Sequence, residues 1–289
     1  MREPTSEMGH RGAIVVTGAS TGIGRACALQ LDRLGFRVFA GVRRVEDGEA
    51  LKRSASERLA CIVLDVTDDS SIVDAVEVVE AVVGERGLSG LVNNAGIAVA
   101  CPLEFVPITD LRKQLEVNAI GQIAVTQAFL PMLRKGLGRV VNVGSISGRL
   151  PFPVLGPYCA SKFALEALTS ALRVELRPWG IPVSIIEPAA IATPIWSKAL
   201  ASGDDLARRL PPRALELYGS MSTAQRKRAM RNARSGLPPD AVARRVAHAL
   251  TARRPKRRYL VGLGAWMGEV LRLVPEGLRE GLIAYVAGR

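Results

Sequence analysis

The chain has 289 residues, of which 48% are hydrophobic and 23% charged, a composition typical of folded proteins that excludes a disordered chain. No apolar run approaches the roughly 20 residues of a membrane span, and residues 1–11 lack the apolar core of a signal peptide, so we expect a cytoplasmic protein. Four scattered cysteines and two histidines argue against a disulfide framework, a metal site and a histidine-dependent triad.

The net charge of +12 lies entirely in the last third of the sequence. Residues 195–289 hold 19 Lys and Arg against 7 Asp and Glu, whereas residues 1–194 are balanced. Such a region can bind nucleic acid, anionic lipid or an acidic ligand. Its basic runs lack interleaved aromatic residues, and no nucleic-acid motif accompanies them. We therefore interpret the basic run as a solvated face and expect no nucleic acid partner.

Apolar runs alternate with amphipathic stretches through the first two thirds of the chain. Buried strands are predicted for the runs AIVVTG, FRVFAGV, LACIVLDV, LSGLVNNAG, GRVVNVGS and IPVSIIEP. Helical periodicity predicts helices between them, over residues 22–34, 46–55, 69–86, 107–135 and 157–177. Repeated βα units predict an α/β protein with a Rossmann-type, doubly wound parallel sheet that carries helices on both faces.

The pattern changes after Thr193. Scattered apolar positions, an LPP break and a basic run in residues 195–237 predict an inserted segment that covers the substrate. Residues 238–289 predict a helix, a last strand at RYLVGLG and an amphipathic tail. We expect one domain over residues 1–289 with its core at 12–194. The tail should pack against the cover or a second subunit, and contact with a membrane surface is the less favoured alternative.

A glycine-rich turn separates the first predicted strand from the first predicted helix. Glycines there allow a tight turn and a close approach of the backbone to phosphate, which the N–H groups of the helix N-terminus stabilise. A turn placed between a buried strand and a helix predicts a dinucleotide site. Its binding residues in VVTGASTGIGRA are predicted to be Gly18, Ser20, Thr21, Gly22, Ile23 and Gly24.

The end of the second strand indicates which dinucleotide binds. An acidic residue there would bind the ribose hydroxyls of NAD, whereas an arginine accommodates the 2′-phosphate of NADP. The strand end in VFAGVRR offers Arg43 and no acid. We therefore expect NADP(H) with Arg43 as its phosphate contact, and NAD(H) is the alternative. Asp65 and Val66, at the end of the third strand, are expected beside the adenine.

Tyr158 and Lys162 lie four residues apart in the stretch GPYCASKFAL. On a helix this spacing places both on one face. The pair alone is also typical of an ordinary amphipathic helix. However, a tyrosine with a pKa near ~10 is a poor base at neutral pH, and a nearby ammonium lowers that pKa. We hypothesise that Tyr158 exchanges the proton of a substrate hydroxyl and that Lys162 tunes its pKa.

Five features stand in order along the chain: TGASTGIG at 17–24, NNAG at 93–96, Asn118, Ser145 and YCASK at 158–162. Together they resemble the classical short-chain dehydrogenase/reductases over about residues 12–194. The resemblance implies that Ser145 steadies the substrate oxygen and Asn118 holds a water in the proton relay. It also implies that Tyr158 is the general acid/base and that Lys162 binds the nicotinamide ribose. The VFAGVRR strand end, the long cover and the RYLVG ending resemble the retinol and 17β-hydroxysteroid dehydrogenase branch.

The resemblance implies further cofactor contacts. Those in NNAG are Asn94, Ala95 and Gly96, where the small residues leave room for the adenosine ribose. Those after the sixth strand, beside the nicotinamide, are Pro188, Ala190, Ile191 and Thr193. The family usually has Pro-Gly where this chain has Pro188 and Ala189. Because alanine disfavours positive φ, either the loop differs here or the glycine is not needed.

The leading interpretation is an NADP(H)-dependent oxidoreductase that acts on an alcohol or carbonyl of a hydrophobic substrate such as a steroid, retinoid or lipid. We also expect the protein to form a homo-oligomer, either a dimer or a tetramer. Apolar residues expected near this substrate are Val99, Leu150, Phe152, Leu155, Ile195, Trp196 and Met221. Two alternatives stay open. One is a 3-oxoacyl thioester reductase whose basic cover receives a phosphopantetheine carrier, and the other is a non-catalytic dinucleotide-binding sensor or scaffold with a basic interaction surface.

Overall fold

The computed structural model describes residues 11–287. Its sheet contains the strands β1 (Ala13–Val16), β2 (Arg37–Val42), β3 (Leu59–Val63), β4 (Gly90–Asn93), β5 (Arg139–Val143), β6 (Val183–Pro188) and β7 (Arg258–Val261). The strand order is β3-β2-β1-β4-β5-β6-β7, and every neighbouring pair is parallel. Because the order reverses between β1 and β4, a crevice opens at their carboxyl ends. The doubly wound parallel sheet is confirmed.

Helices connect the strands and follow the last one. In chain order they are α1 (Gly22–Arg33), α2 (Val45–Lys52), α3 (Asp69–Val83), α4 (Ile108–Leu115), α5 (Gly121–Lys135), α6 (Gly156–Glu175), α7 (Pro194–Arg209), α8 (Pro212–Ser235), α9 (Asp240–Thr251), α10 (Leu263–Leu271) and α11 (Glu276–Ala287). The helices predicted at 22–34, 46–55, 69–86 and 157–177 correspond to α1, α2, α3 and α6. Their predicted ends lie within a few residues of the observed ones, as expected when helix ends fray.

The strands are apolar on both faces because helices cover both sides of the sheet. In β1, Ile14 and Val16 point into one core cluster, and Ala13 and Val15 point into the other. This alternation follows from the two-residue period of a strand. The first cluster joins the sheet to α1 and α9, and the second joins it to α3 and α5.

The helix predicted over residues 107–135 is observed as continuous helical backbone from α4 through α5, but it contains an unpredicted π-helical turn at Glu116–Ile120. Asn118 lies in this turn. Its Oδ1 accepts the N–H of Ile97 at 2.9 Å, and its Nδ2 donates to the carbonyl of Ile97 at 3.0 Å. Such turns are frequent at functional sites, and the apolar period of the sequence does not reveal them.

The inserted cover consists of α7 and α8, which pack against each other. Its two ends meet after β6, where the N–H of Ala192 donates to the carbonyl of Leu237 at 2.9 Å and the N–H of Leu237 donates to that of Ala190 at 3.0 Å. Gly236 lies in this junction, and a Cβ there would lie 2.6 Å from the nitrogen of Ala192. The cover therefore leaves and rejoins the fold at one point.

A buried charge cluster connects the last strand to α6. Glu187 of β6 is fully buried and pairs with Arg258 of β7. The same guanidinium binds Glu166 of α6, with Nη2 to Oε2 at 2.8 Å and Nη1 to Oε1 at 3.1 Å. Burial and the neighbouring Glu166 raise the pKa of Glu187, and Arg258 opposes this shift. Because α6 also carries Tyr158 and Lys162, the cluster holds the helix of the candidate site against the sheet.

The C-terminal tail forms α10 and α11, and α11 contacts α8, which is one of the packings expected for the tail. Large exposed apolar side chains of these helices include Leu263, Trp266, Met267, Val270, Leu278 and Leu282. Within residues 11–287, no helix combines the length and apolar character needed to cross a membrane.

Candidate active site

A cavity of about 930 Å³ lies at the carboxyl ends of the strands. Nearly all of the predicted site residues contribute to its wall: Gly18, Ser20, Thr21, Gly22, Ile23, Arg43, Asp65, Val66, Asn94, Ala95, Gly96, Asn118, Ser145, Tyr158, Lys162, Pro188, Ala190, Ile191 and Thr193. Gly24 lies behind the wall, where a Cβ would be 2.2 Å from the carbonyl oxygen of Gly18. Because Gly24 has no side chain, the first turn of α1 can lie close to the end of β1.

The glycine-rich turn has the geometry needed to approach a phosphate. Gly18 and Gly22 have φ of 62° and 56°, values that favour glycine. A Cβ at Gly18 would also lie 2.8 Å from the Cα of Ala95. The N-cap Thr21 makes no side-chain capping hydrogen bond, so the first-turn N–H groups of α1 are left for a ligand. The turn therefore fits the pyrophosphate of a dinucleotide.

A hydrogen-bond network joins this turn to the NNAG segment. The Oγ1 of Thr17 accepts the N–H groups of Asn94 and Ala95 at 2.9 and 3.0 Å. The Nδ2 of Asn94 donates to the carbonyls of Thr17 and Gly18 at 3.0 and 3.1 Å. Asn94 therefore holds the turn in place. Thr17 was not predicted as a site residue, although its position directly before Gly18 was the available signal.

The two arginines after β2 have different surroundings. Arg44 is exposed and forms an ion pair with Asp47 at 3.3 Å. Arg43 is also exposed and borders the cavity, and none of the ion pairs found in residues 11–287 includes it. Of these two arginines, Arg43 is therefore the one that is available to a phosphate group in the cavity.

Tyr158 and Lys162 share one face of α6, as their spacing predicts. The Nζ of Lys162 is 6.0 Å from the centroid of the Tyr158 ring and donates to the carbonyl of Val143 at 2.8 Å. The side chain of Ser145 lies close enough to the hydroxyl of Tyr158 to favour its ionisation, and the Oγ of Ser145 accepts the N–H of Ser147 at 3.1 Å. The structure thus brings together the three residues that the sequence proposes for proton transfer.

Burial dominates the titration of this pair. It raises the pKa of Tyr158 to about 12, although the nearby side chain of Ser145 acts in the opposite direction. It also lowers the pKa of Lys162 to about 8. Tyr158 is therefore protonated at neutral pH in this state of the protein. Lowering of the tyrosine pKa by Lys162 stays a prediction.

Asn118 is held in a network that reaches the backbone of Tyr158. Its Nδ2 donates to the Oγ of Ser161 at 3.1 Å, and the hydroxyl of Ser161 donates to the carbonyl of Tyr158 at 2.7 Å. The Nε2 of buried Gln114 donates to the carbonyl of Ile97, which Asn118 also binds. Gln114 and Ser161 were not predicted. Ser161 lies inside the YCASK motif, whereas no sequence signal marked Gln114.

The residues expected around the substrate divide into two groups. Phe152, Leu155, Ile195 and Trp196 line the cavity. The other three expected residues do not: Leu150 is buried in the protein interior, Met221 is exposed, and Val99 packs into a separate cluster around Cys101 and Val106. Periodicity showed that these positions are apolar but not in which direction each side chain points.

The basic run of the cover is not solvated throughout. Gln225, Arg228 and Asn232 follow the helical spacing of one face of α8, and all three line the cavity. The guanidinium of Arg228 lies 5.4 Å from the centroid of the Phe152 ring. The interpretation of the run as a solvated face is therefore wrong at Arg228, because this face of α8 turns inward.

The loop after β6 accommodates alanine in place of the usual glycine. Ala189 has no positive φ, and its N–H donates to the carbonyl of Val261 at 3.0 Å, which continues the ladder with β7. The glycine is therefore not needed here. Pro188, Ala190, Ile191 and Thr193 border the cavity as predicted.

Comparison with solved structures shows the same fold elsewhere. A short-chain dehydrogenase from Streptomyces avermitilis is 28% identical with a TM-score of 0.76, and the match covers 97% of each chain. A short-chain dehydrogenase/reductase from Burkholderia phymatum in complex with NAD is 24% identical with a TM-score of 0.76, and the match covers 90% of this chain and 92% of that one.

Sequence comparisons narrow the relationship. Residues 12–202 match the family model of the short chain dehydrogenases. The chain is 40% identical over 285 residues to retinol dehydrogenase 5 of Homo sapiens, which covers 94% of this chain and 88% of that protein. It is 39% identical over 252 residues to the NADPH-dependent 3-dehydrocapnine reductase of Ornithobacterium rhinotracheale. This match covers 86% of this chain and 87% of the reductase. The chain therefore belongs to the short-chain dehydrogenase/reductase family, in its retinol dehydrogenase-like branch, and is an NAD(P)-dependent oxidoreductase.

Proposed function

We propose that this protein transfers a hydride between NADP(H) and the alcohol or carbonyl of a hydrophobic substrate, with Tyr158 as general acid/base. The observation that carries the proposal is that Tyr158, Ser145 and Lys162 line the same cavity as the dinucleotide turn. A sensor that only bound a dinucleotide would not need these three residues together. This arrangement therefore favours an enzyme over the sensor or scaffold alternative.

In the reducing direction, a nicotinamide held in this cavity would supply the hydride that the carbonyl carbon accepts. The hydroxyl of Tyr158 donates its proton to the carbonyl oxygen, and Ser145 donates a hydrogen bond to the same oxygen. The raised pKa keeps the Tyr158 proton in place at neutral pH, which suits a donor. In the oxidising direction Tyr158 must first lose that proton, so oxidation requires a higher pH or a nearby positive charge. The protonation state of the site thus suits the role of Tyr158 as proton donor in the reducing direction.

Two observations support NADP(H) as the cofactor. Arg43 borders the cavity after β2, where the 2′-phosphate of an adenosine ribose would bind, and Arg44 is occupied by Asp47. The reductase of Ornithobacterium rhinotracheale is described as NADPH-dependent. NAD(H) remains the alternative, since a structural relative was solved with NAD.

A hydrophobic substrate is supported by the apolar part of the cavity wall. Phe152, Leu155, Ile195 and Trp196 form this part, and the last two belong to α7 of the cover. Retinol dehydrogenase 5 of Homo sapiens bears the name of an apolar alcohol, which agrees with such a wall. The described contacts contain nothing that favours the 3-oxoacyl thioester alternative.

The test is a screen of hydrophobic ketones with NADPH, followed at the nicotinamide absorbance, on the unmutated protein and on Tyr158→Phe. We expect this variant to lose about 10²- to 10⁴-fold in kcat, the usual contribution of general acid catalysis, and to keep its affinity for NADPH. Tyr218→Phe is the matched control, because Tyr218 of α8 does not line the cavity and its hydroxyl hydrogen-bonds Glu104 instead. It should retain full activity. Substantial turnover by Tyr158→Phe would contradict the proposal.

A further inference from the structure

One side of the apolar part of the cavity carries polar groups. Gln225, Arg228 and Asn232 project from the same face of α8, opposite Phe152 and Leu155. A purely hydrocarbon substrate would leave these groups without hydrogen-bond partners once it displaced water, which is unfavourable. The wall of the cavity is therefore built for a substrate with both an apolar and a polar part.

Arg228 has a positive charge that the protein does not balance. Of the other arginines of the cover, Arg208, Arg209 and Arg226 pair with carboxylates. Arg213, Arg231 and Arg234 form no ion pair in the described part of the chain but are exposed to water, whereas Arg228 is partly buried. Among residues 11–287, no carboxylate forms an ion pair with Arg228, and the ring of Phe152 is its recorded contact. Burial and the nearby Arg231 both lower the pKa of Arg228, which shows that its surroundings disfavour the charge. A partly buried cation without a counter-ion is costly unless a ligand supplies one.

The position of Arg228 indicates that the ligand that supplies this counter-ion binds on the substrate side of the cavity. Phe152, against which the guanidinium lies, belongs to the loop before α6, and its N–H contacts the Sγ of Cys159, the residue next to Tyr158. Arg43, the arginine expected to bind the cofactor phosphate, instead follows β2. The two cations are thus carried by different parts of the fold, one by the cover and one by the sheet.

We infer that the substrate is an amphiphile with an anionic head group, a carboxylate, sulfonate or phosphate, that binds Arg228 while its carbonyl lies at Tyr158 and its apolar chain along Phe152 and Trp196. The inference rests on the proposed function and specifies its substrate class. A guanidinium matches an oxyanion with two parallel hydrogen bonds, and Gln225 and Asn232 on the same helix face add neutral donors. Arg228 is thus a specificity-determining residue.

The first experiment compares ketones that share one decyl chain and differ in their second substituent. That substituent ends in a sulfonate, a carboxylate or a neutral primary amide, placed two to five carbons from the carbonyl. With NADPH, we expect kcat/KM to be at least about tenfold higher for an anionic ketone than for the amide at the best spacing, as for one charge-assisted contact. Arg228→Met, which keeps the apolar stem, should abolish this preference and leave the affinity for NADPH unchanged.

The matched control is Lys227→Gln, which removes the same charge from the neighbouring exposed position of α8. It should keep the preference for the anionic ketones. A second measurement does not depend on turnover: the dissociation constants of decane-1-sulfonate and decanamide, below their micelle-forming concentrations, are measured on the NADPH complex. The sulfonate should bind at least about tenfold more tightly, and only Arg228→Met should remove the difference.

The outcomes separate this inference from the proposed function. Equal use of anionic and neutral ketones by the unmutated protein, with activity that depends on Tyr158, overturns the inference and keeps the function. A preference that survives in Arg228→Met also overturns it. If Arg228→Met loses affinity for NADPH but keeps the preference for anionic ketones, Arg228 binds the cofactor, and this result also overturns the inference. If no ketone is reduced, the proposed function fails, and the sulfonate measurement still decides whether the cavity selects an anion.

Discussion

Removal of Arg258 should destabilise the protein strongly at alkaline pH and much less at acidic pH. Arg258→Met removes the cation that Glu187, which is fully buried, shares with Glu166, and the remaining cation, Arg149, lies 3.9 Å from Glu166. Two neighbouring buried carboxylates cannot both be ionised at low cost. In the variant, Glu187 therefore either keeps a proton or lies buried as an uncompensated charge.

The size of the effect follows from the burial of the three groups. Loss of one partner from a buried ion pair costs about 3–5 kcal/mol. The side chain of Arg258 is 27% exposed and that of Glu187 is 0% exposed, so the pair is largely shielded from water. We expect the lower end of the range, about 3 kcal/mol at pH 8.

The pH dependence has a definite sign. The folded-state pKa of Glu187 is already raised above its ordinary value of 4.5, and loss of Arg258 raises it further. The folded protein then binds a proton that the unfolded chain releases, so stability falls as pH rises above 4.5 and is regained as pH falls toward it. The cost of Arg258→Met should therefore shrink at pH 5.5.

The assay is urea unfolding at pH 8 and pH 5.5, followed by circular dichroism. Addition of Glu187→Gln to Arg258→Met should restore part of the lost stability at pH 8, since the amide has no charge. The control is Arg272→Met, because Arg272 pairs with Glu269 near the surface and should cost less than about 1 kcal/mol. A loss below about 1 kcal/mol for Arg258→Met at pH 8, or a loss that is equal at both pH values, would refute this reasoning.

Three further predictions concern the cofactor and the proton donor. Gly24→Ala should weaken NADPH binding at least about tenfold in a fluorescence titration, because the new Cβ would lie 2.2 Å from the oxygen of Gly18, and unchanged affinity would contradict it. Arg43→Asp should weaken NADPH and favour NADH, because the 2′-phosphate would meet a like charge; equal affinity of the unmutated protein for both cofactors would argue against this. Lys162→Met should weaken NADPH binding and shift alcohol oxidation to more alkaline pH, because a nearby ammonium favours the phenolate of Tyr158, and a pH profile that matches the unmutated protein would count against it.

The sheet and the dinucleotide turn could be predicted because each rests on a local signal. Valine-rich runs without polar alternation indicate strands covered on both faces, and β1 has this environment. The turn at Gly18 and Gly22 needs positive φ, which only glycine adopts without strain, so the sequence marks it directly. The four-residue spacing of Tyr158 and Lys162 likewise fixes their shared face on α6.

The features that escaped prediction depend on contacts between distant residues. The π-helical turn at Glu116–Ile120 keeps the apolar pattern of the flanking helices, so the pattern continues through it. The direction of Arg228 depends on how α8 packs over the cavity, and a basic run has the same sequence whether it faces water or a cavity. Glu187 and Arg258 can pair only because β6 and β7 are adjacent strands of the sheet, and the sequence does not show that adjacency.

The closed junction of the cover has a consequence for how this protein can diversify. Because Ala192 and Leu237 are hydrogen-bonded to each other, the intervening segment can change in length or sequence without moving β6 or the dinucleotide turn. The entropy of closing a chain segment grows only slowly with its length, so insertions there cost little. A chimaera that exchanges residues 195–236 between two relatives should thus inherit its substrate range from one parent and its nucleotide preference from the other. Evolution can revise the two properties separately.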